Sequence, residues 1–153
     1  MSLSNKVRVF RVHQSAKLPV RAHSTDAGMD FFYCPVEKVS ITIPKNETAL
    51  LPTGVKVQVP SGYMLQIMNK SGIASKRRLL AGACVVDEGY TGEIFVNLHN
   101  VGKHPQTISP GQKVAQGVFV SISQPTLVEV EEDNIYDTET SRGTGALGST
   151  GDL

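Results

Sequence analysis

Asp30, Asp87, Gln116 and Arg142 are side chains of this sequence whose types and settings could do chemistry. Asp87 follows the apolar run Ala83, Cys84, Val85, Val86, where mere solvated surface is not expected. A carboxylate held in such a place can orient a water molecule. Ser71 and Gly72 open the one helical candidate, residues 71–78, with Ser71 or Ser75 placed to cap it. A helix N-terminus favours an anion, and Lys70 stands directly before it. Arg142 begins a glycine-rich tail whose backbone N–H groups could wrap an anion, beside a guanidinium fork suited to phosphate.

These residues fall in five short blocks. They are Thr-Asp-Ala-Gly-Met-Asp-Phe at 25–31, Asn-Lys-Ser-Gly-Ile-Ala-Ser-Lys at 69–76 and Gly-Ala-Cys-Val-Val-Asp-Glu-Gly-Tyr-Thr-Gly-Glu-Ile at 82–94. Gly-Gln-Lys-Val-Ala-Gln at 111–116 and Arg-Gly-Thr-Gly-Ala-Leu-Gly-Ser-Thr-Gly at 142–151 complete the set. Each alone has a bland reading: a turn, a loop, a hairpin end, a satisfied polar group in a strand, a frayed terminus. In this order and spacing they closely resemble the five motifs of the trimeric dUTPase family, over about residues 7–151. The stretches at 87–93 and 111–113 look especially like retroviral members.

The resemblance implies hydrolysis of dUTP to dUMP and pyrophosphate with Mg²⁺ as cofactor, in a homotrimer with neither nucleic acid nor membrane as partner. It places Ser71, with Lys70 and Gly72, at the phosphates, where Lys70 replaces a usual arginine and loses the bidentate fork. It makes Asp30 the carboxylate that holds Mg²⁺ through water, as suits an ion that keeps its hydration shell. Asp87 would bind the deoxyribose 3′-hydroxyl and orient the attacking water, helped by Gln116. A carboxylate of ordinary strength is a weak base at neutral pH, so positioning matters more than proton abstraction.

The hairpin around Cys84 to Tyr90 would read uracil, with Ala83, Cys84 and Val85 among the substrate-binding residues. Its N–H and C=O groups can complement the acceptor, donor, acceptor edge of that base and leave groups unpaired against cytosine. Tyr90 would pack under the deoxyribose. Arg142 would meet the γ-phosphate, and Leu147, Gly148, Ser149 and Thr150 would close over the nucleotide. Cys84 departs from a usual glycine, tolerable if its side chain points away. Leu147 departs from an aromatic that stacks on the base, so a weaker grip is expected. Three other readings are open, and the joint motifs argue against the blandest, a structural jelly roll. A dCTP deaminase would carry its glutamate where Asn97 stands, which argues against it. A dUTPase-like binder of a regulatory partner has no need of Asp30, Ser71, Asp87, Gln116 and Arg142 together.

The elements that must position these residues read as β. Residues 7–12, 39–43 and 54–59 alternate apolar and polar as half-buried strands do, and 63–68, 93–99, 114–122 and 127–130 also read as strands. Many short strands with turns between them argue for an all-β, jelly-roll-like barrel carrying one short helix. The β pattern stops near Asp133, so a barrel over 1–132 and an arm over 133–153 are expected. By resemblance that arm closes a neighbouring subunit's site.

The 153 residues suit one domain, with 40% hydrophobic residues, fourteen glycines and eight prolines. A net charge of +1 argues against a general nucleic-acid binder. Cys34 and Cys84 make neither a disulfide framework nor a zinc set. Residues 1–10 lack the apolar core of a signal peptide, and no run has the length of a membrane span. An intracellular, cytoplasmic protein is expected, nuclear if from a eukaryote or its virus.

Overall fold

The computed structural model describes residues 6–148, 150 and 151. The larger of two compact units ends at Ser123. It contains β1 (Val9–Arg11), β2 (Met29–Phe32), β3 (Ile41–Ile43), β4 (Thr48–Pro52), β5 (Val55–Val57) and β6 (Tyr63–Met68). Helix α1 (Ser71–Arg77) follows, then β7 (Leu79–Ala81), β8 (Val85–Val86), β9 (Phe95–Asn100), β10 (Gln106–Ile108) and β11 (Lys113–Ser121).

All pairings between these strands are antiparallel. One sheet runs β2-β11-β6-β8 and another β4-β9-β7, with the pairs β1-β5 and β3-β10 beside them. Phe31, Leu65, Ile67 and Ala115 from the first sheet and Leu51, Leu79, Val96 and Leu98 from the second belong to one core cluster. Gly117 is required there: a Cβ on it would lie 2.5 Å from the ring of Phe31 and 2.9 Å from Leu65. This is the all-β jelly roll with one short helix that the sequence predicts.

Several details differ. Strand β2 reads Met-Asp-Phe-Phe and is buried at its last three positions, so it lacks the alternation that marks a half-buried strand. Strand β8 is only two residues long. Residues 9–11 do alternate in sequence, yet all three are exposed in the single chain. Residues 127–130 form no strand, and the β structure ends at Ser121. The compact unit thus ends earlier than the expected boundary at 132. Neither Ser71 nor Ser75 caps α1. The cap position is Lys70, without a side-chain cap bond, and Ser75 Oγ turns back to the Ser71 carbonyl at 2.6 Å.

The smaller unit, from Gln124 onward, holds a 3₁₀ turn at Glu132–Asn134 and a succession of tight turns. Among the described residues no helix is long and apolar enough to cross a membrane.

Candidate functional site

Two groups of predicted residues form separate places in the larger unit. The first is a charged corner beside the end of β6. Strand β11 pairs with β2 so that Gln116 faces Asp30, and with β6 so that Gln116 faces Met68. The register of β11 against β2 shifts between Lys113 and Ala115. That irregularity turns Lys113 onto the Asp30 face, whereas simple alternation from Gln116 would point it the other way.

Asp30 is 5% exposed. Lys70 Nζ donates to its Oδ1, and Lys113 Nζ stands 2.7 Å from its Oδ2. Burial pushes this carboxyl's pKa up, but the two ammonium groups outweigh that and hold it below its ordinary value. Gln116 Nε2 donates to the Asn69 carbonyl at 2.9 Å. Gly28 lies against the same amide, where a Cβ would come 2.2 Å from Gln116 Oε1. Asn69 Oδ1 in turn accepts from the Ala81 N–H at 2.7 Å. Ser71 and Gly72 form the exposed first turn of α1, next to Lys70.

The second place is a cavity of about 270 Å³ whose lining includes Ala83, Cys84, Val85, Asp87 and Tyr90. Strand β8 is the edge of its sheet. Val86 lies opposite Leu65, and the Cys84 carbonyl accepts from the Ile67 N–H at 2.7 Å. By antiparallel alternation the N–H and C=O of Val85 then point away from β6 and stay open for a ligand. The following loop is folded on itself. Tyr90 N–H donates to the Asp87 carbonyl at 3.1 Å, and Tyr90 Oη donates to the Glu93 carbonyl at 2.7 Å. Glu93 Oε1 accepts from the Gly54 N–H at 2.7 Å, which ties the loop to the barrel. Gly92 permits this fold, because a Cβ there would meet Tyr90 Oη at 2.4 Å. Asp87 is exposed at the cavity wall.

The corner residues Asp30, Lys70, Ser71 and Gln116 do not line that cavity. The tail residues lie in the smaller unit. There Arg142 Nε donates to the Gly145 carbonyl at 3.1 Å, and Gly143, Gly148 and Gly151 have positive φ. Leu147 is fully exposed, and Gly148 and Thr150 are exposed beside it. Ser149 lies outside the described residues.

Among the described residues no three His, Cys, Asp or Glu side chains cluster to hold a metal ion. Asp30 departs from the open, water-bridging carboxylate that the resemblance implies, because both of its oxygens face lysines. This donor set fits an ion brought in by a polyphosphate and ligated by phosphate and water, not a metal resident in the protein. The sequence gives no sign that Lys113 faces Asp30 or that Asn69 holds the Ala81 N–H: the first depends on the register shift, the second on a backbone partner distant in sequence.

Comparison with known proteins agrees with this geometry. The dUTPase family profile matches residues 14–151. A deoxyuridine 5′-triphosphate nucleotidohydrolase of Gloeothece citriformis is 40% identical over 149 residues, covering 95% of this chain and 97% of its own length. The protein of that name from Clostridium novyi is 39% identical, covering 95% and 99%. Among solved structures, a point mutant of the Staphylococcus bacteriophage 80alpha dUTPase with dUpNHpp superposes with a TM-score of 0.84. It is 28% identical over 97% of this chain and 100% of its own. A mutant dUTPase from phage phi11 of S. aureus, described with a structural Mg(II) ion, gives a TM-score of 0.77 at 28% identity, covering 88% and 100%. The family profile, the shared length and the shared fold agree, and this chain belongs to the dUTPase family.

Proposed function

We propose that the chain hydrolyses dUTP to dUMP and pyrophosphate by attack of water at the α-phosphate. The observation that carries this reading is the cavity at the open edge of β8 with Asp87 in its wall. At about 270 Å³ it falls just under the roughly 300 Å³ at which drug-sized ligand pockets begin. It therefore suits a nucleoside and leaves the triphosphate outside. The free N–H and C=O of Val85 suit the pairing edge of uracil. A cytosine amino group would set donor against donor and leave buried groups unpaired.

Asp87 orients the attacking water, and Gln116 steadies water and phosphate from the corner. Lys70, Ser71 and Gly72 receive the phosphates, and Arg142 meets the terminal one with its fork. Mg²⁺ bound with the triphosphate supplies charge neutralisation and orientation for in-line attack. Asp30 would hold such an ion through water, with Lys70 and Lys113 beside it to meet the phosphates. As the resemblance to trimeric dUTPases implies, the complete site forms between subunits of a homotrimer, and a corner that does not line the cavity is compatible with that. One chain gives the corner, a second gives Asp87 and a third gives Arg142 with the arm. Leu147, Gly148, Ser149 and Thr150 close over the nucleotide in that arrangement. The protein works inside the cell, where dUTP is formed.

The test is to incubate the pure protein with each deoxynucleoside triphosphate and Mg²⁺ and to identify the products. Pyrophosphate and dUMP from dUTP alone are expected, with the rate falling sharply in EDTA. Release of inorganic phosphate, or equal turnover of dCTP and dTTP, contradicts the reading.

A further inference from the structure

Asn97 lies on β9 and does not line the cavity, yet its carboxamide holds the strand that forms the cavity wall. Its Nδ2 donates to Thr48 Oγ1 at 2.7 Å and to the Ala49 carbonyl at 3.3 Å, both on β4. Its Oδ1 accepts from the Ala83 N–H at 3.2 Å. The orientation of the amide is forced. Thr48 gives its hydroxyl proton to the Leu98 carbonyl at 3.1 Å, so its oxygen must accept from Asn97. The Ala49 carbonyl can only accept, and the Ala83 N–H can only donate. A chain of hydrogen bonds of one polarity thus runs from Ala83 through Asn97 and Thr48 to Leu98.

This chain stands where the backbone changes sheets. Strand β7 belongs with β9 and β4, whereas β8 belongs with β6. The Gly82 N–H donates to the Asn97 carbonyl at 2.9 Å, and the Cys84 carbonyl accepts from Ile67 at 2.7 Å. Ala83 lies between those two anchors, and the Asn97 side chain is its tether. Gly82 makes the close approach possible, since a Cβ there would lie 2.1 Å from Asn97 Oδ1.

We propose that Asn97, supported by Thr48, is a positioning residue that sets the height of the Ala83–Val85 edge and thereby the grip on the nucleoside. This rests on the reading of that edge as the base-binding wall. Asn97→Val removes both halves of the tether. Asn97→Asp keeps the shape but turns a carboxylate oxygen toward the Ala49 carbonyl, which has no proton to give, and toward Thr48, whose hydroxyl can serve it only by releasing the Leu98 carbonyl.

Both variants are expected to raise KM for dUTP about three- to tenfold, the scale of one lost neutral hydrogen bond, with kcat within about twofold. Inhibition by dUMP should weaken by the same factor. Inhibition by tripolyphosphate, which has no base or sugar, should keep its constant. Thr48→Val should act in the same direction and add little on top of Asn97→Val, whereas Thr48→Ser retains the acceptor and the KM. In the unmutated protein, amide exchange gives a check that no folding defect can spoil: the Ala83 N–H should be protected although the residue is exposed. Wild-type KM in Asn97→Val, equal weakening of dUMP and tripolyphosphate, a loss confined to kcat, or an unprotected Ala83 amide each overturns the proposal. Failure of the unmutated protein to turn over dUTP instead defeats the underlying functional reading.

Discussion

The corner around Asp30 and the cavity beside β8 hold their ligands-to-be with different materials. At the corner, charged side chains are locked to one another: a buried carboxylate between Lys70 and Lys113. At the cavity, the groups free to meet a base are peptide N–H and C=O at a strand edge, and the side chains other than Asp87 shape the wall. The corner can therefore respond to a charged ligand by exchanging partners, whereas the cavity is selective only while its backbone stays in place. Asn97, Glu93 and Tyr90 hold that backbone by hydrogen bonds to carbonyls and amides. On the proposed function, the difference teaches that affinity for phosphate and choice of base are set by separate devices, open to separate damage.

The sharpest test acts on the cavity side. Asp87→Asn keeps the volume and removes the charge that orients water. A loss of about 10²-fold or more in kcat is expected, with nucleotide binding retained, as measured by steady-state turnover and by titration with a non-hydrolysable analogue. Near-normal kcat would move the chemistry away from Asp87.

A second test asks whether corner, cavity and arm come from different chains. Asp87→Asn and Arg142→Ala chains, each nearly inactive alone, are co-expressed equally and the mixed trimers purified. Random assembly gives each required neighbour a chance of about one half, so activity should recover to about one quarter of wild type. Activity no higher than that of the two pure mutants rules out the three-chain site.

The corner predicts a smaller effect with its own pH signature. Asp30→Asn leaves two lysines without their carboxylate. Their side chains are 28% and 45% exposed and can turn to water, so about 1–3 kcal/mol of stability should be lost, less than for a fully buried pair. The folded-state pKa of Asp30 is depressed. Its contribution is therefore present above the unfolded value near 3.9 and is lost as pH falls through the folded value. Urea melts at neutral pH should separate the two proteins, and melts at successively lower pH should bring them together. A gap that persists in strong acid would show that the lysines are not its source.

The smallest effect belongs to the arm. Leu147→Phe adds an aromatic face worth roughly 0.5–1.5 kcal/mol in stacking, so KM for dUTP should fall a few-fold. An unchanged or higher KM would take Leu147 off the base.

Much of this was legible in the chain itself. The five blocks carry their residue types in order, and Tyr63–Met68 reads as a strand from its pattern and is one. Strand β2 escaped notice because a strand buried on both faces shows no period of two, whereas β8, too short to show a period, was legible only as part of a hairpin. Residues 127–130 misled in the other direction: apolar content alone forms no strand without a partner to accept its hydrogen bonds.

The sequence by itself determined which side chains are available: Asp30, Lys70, Ser71, Asp87, Gln116 and Arg142 stand in their motifs whatever the fold. Only the tertiary structure decided which of them meet. The register shift before Ala115 brings Lys113 to Asp30. The place of β8 at a sheet edge leaves Val85's peptide groups open, and Asn97 reaches Ala83 across fourteen residues of chain. The physical reason is that a side chain's chemistry is local and travels with the residue. A backbone hydrogen-bonding group is the same at every position, and it becomes specific only when its neighbours leave it free.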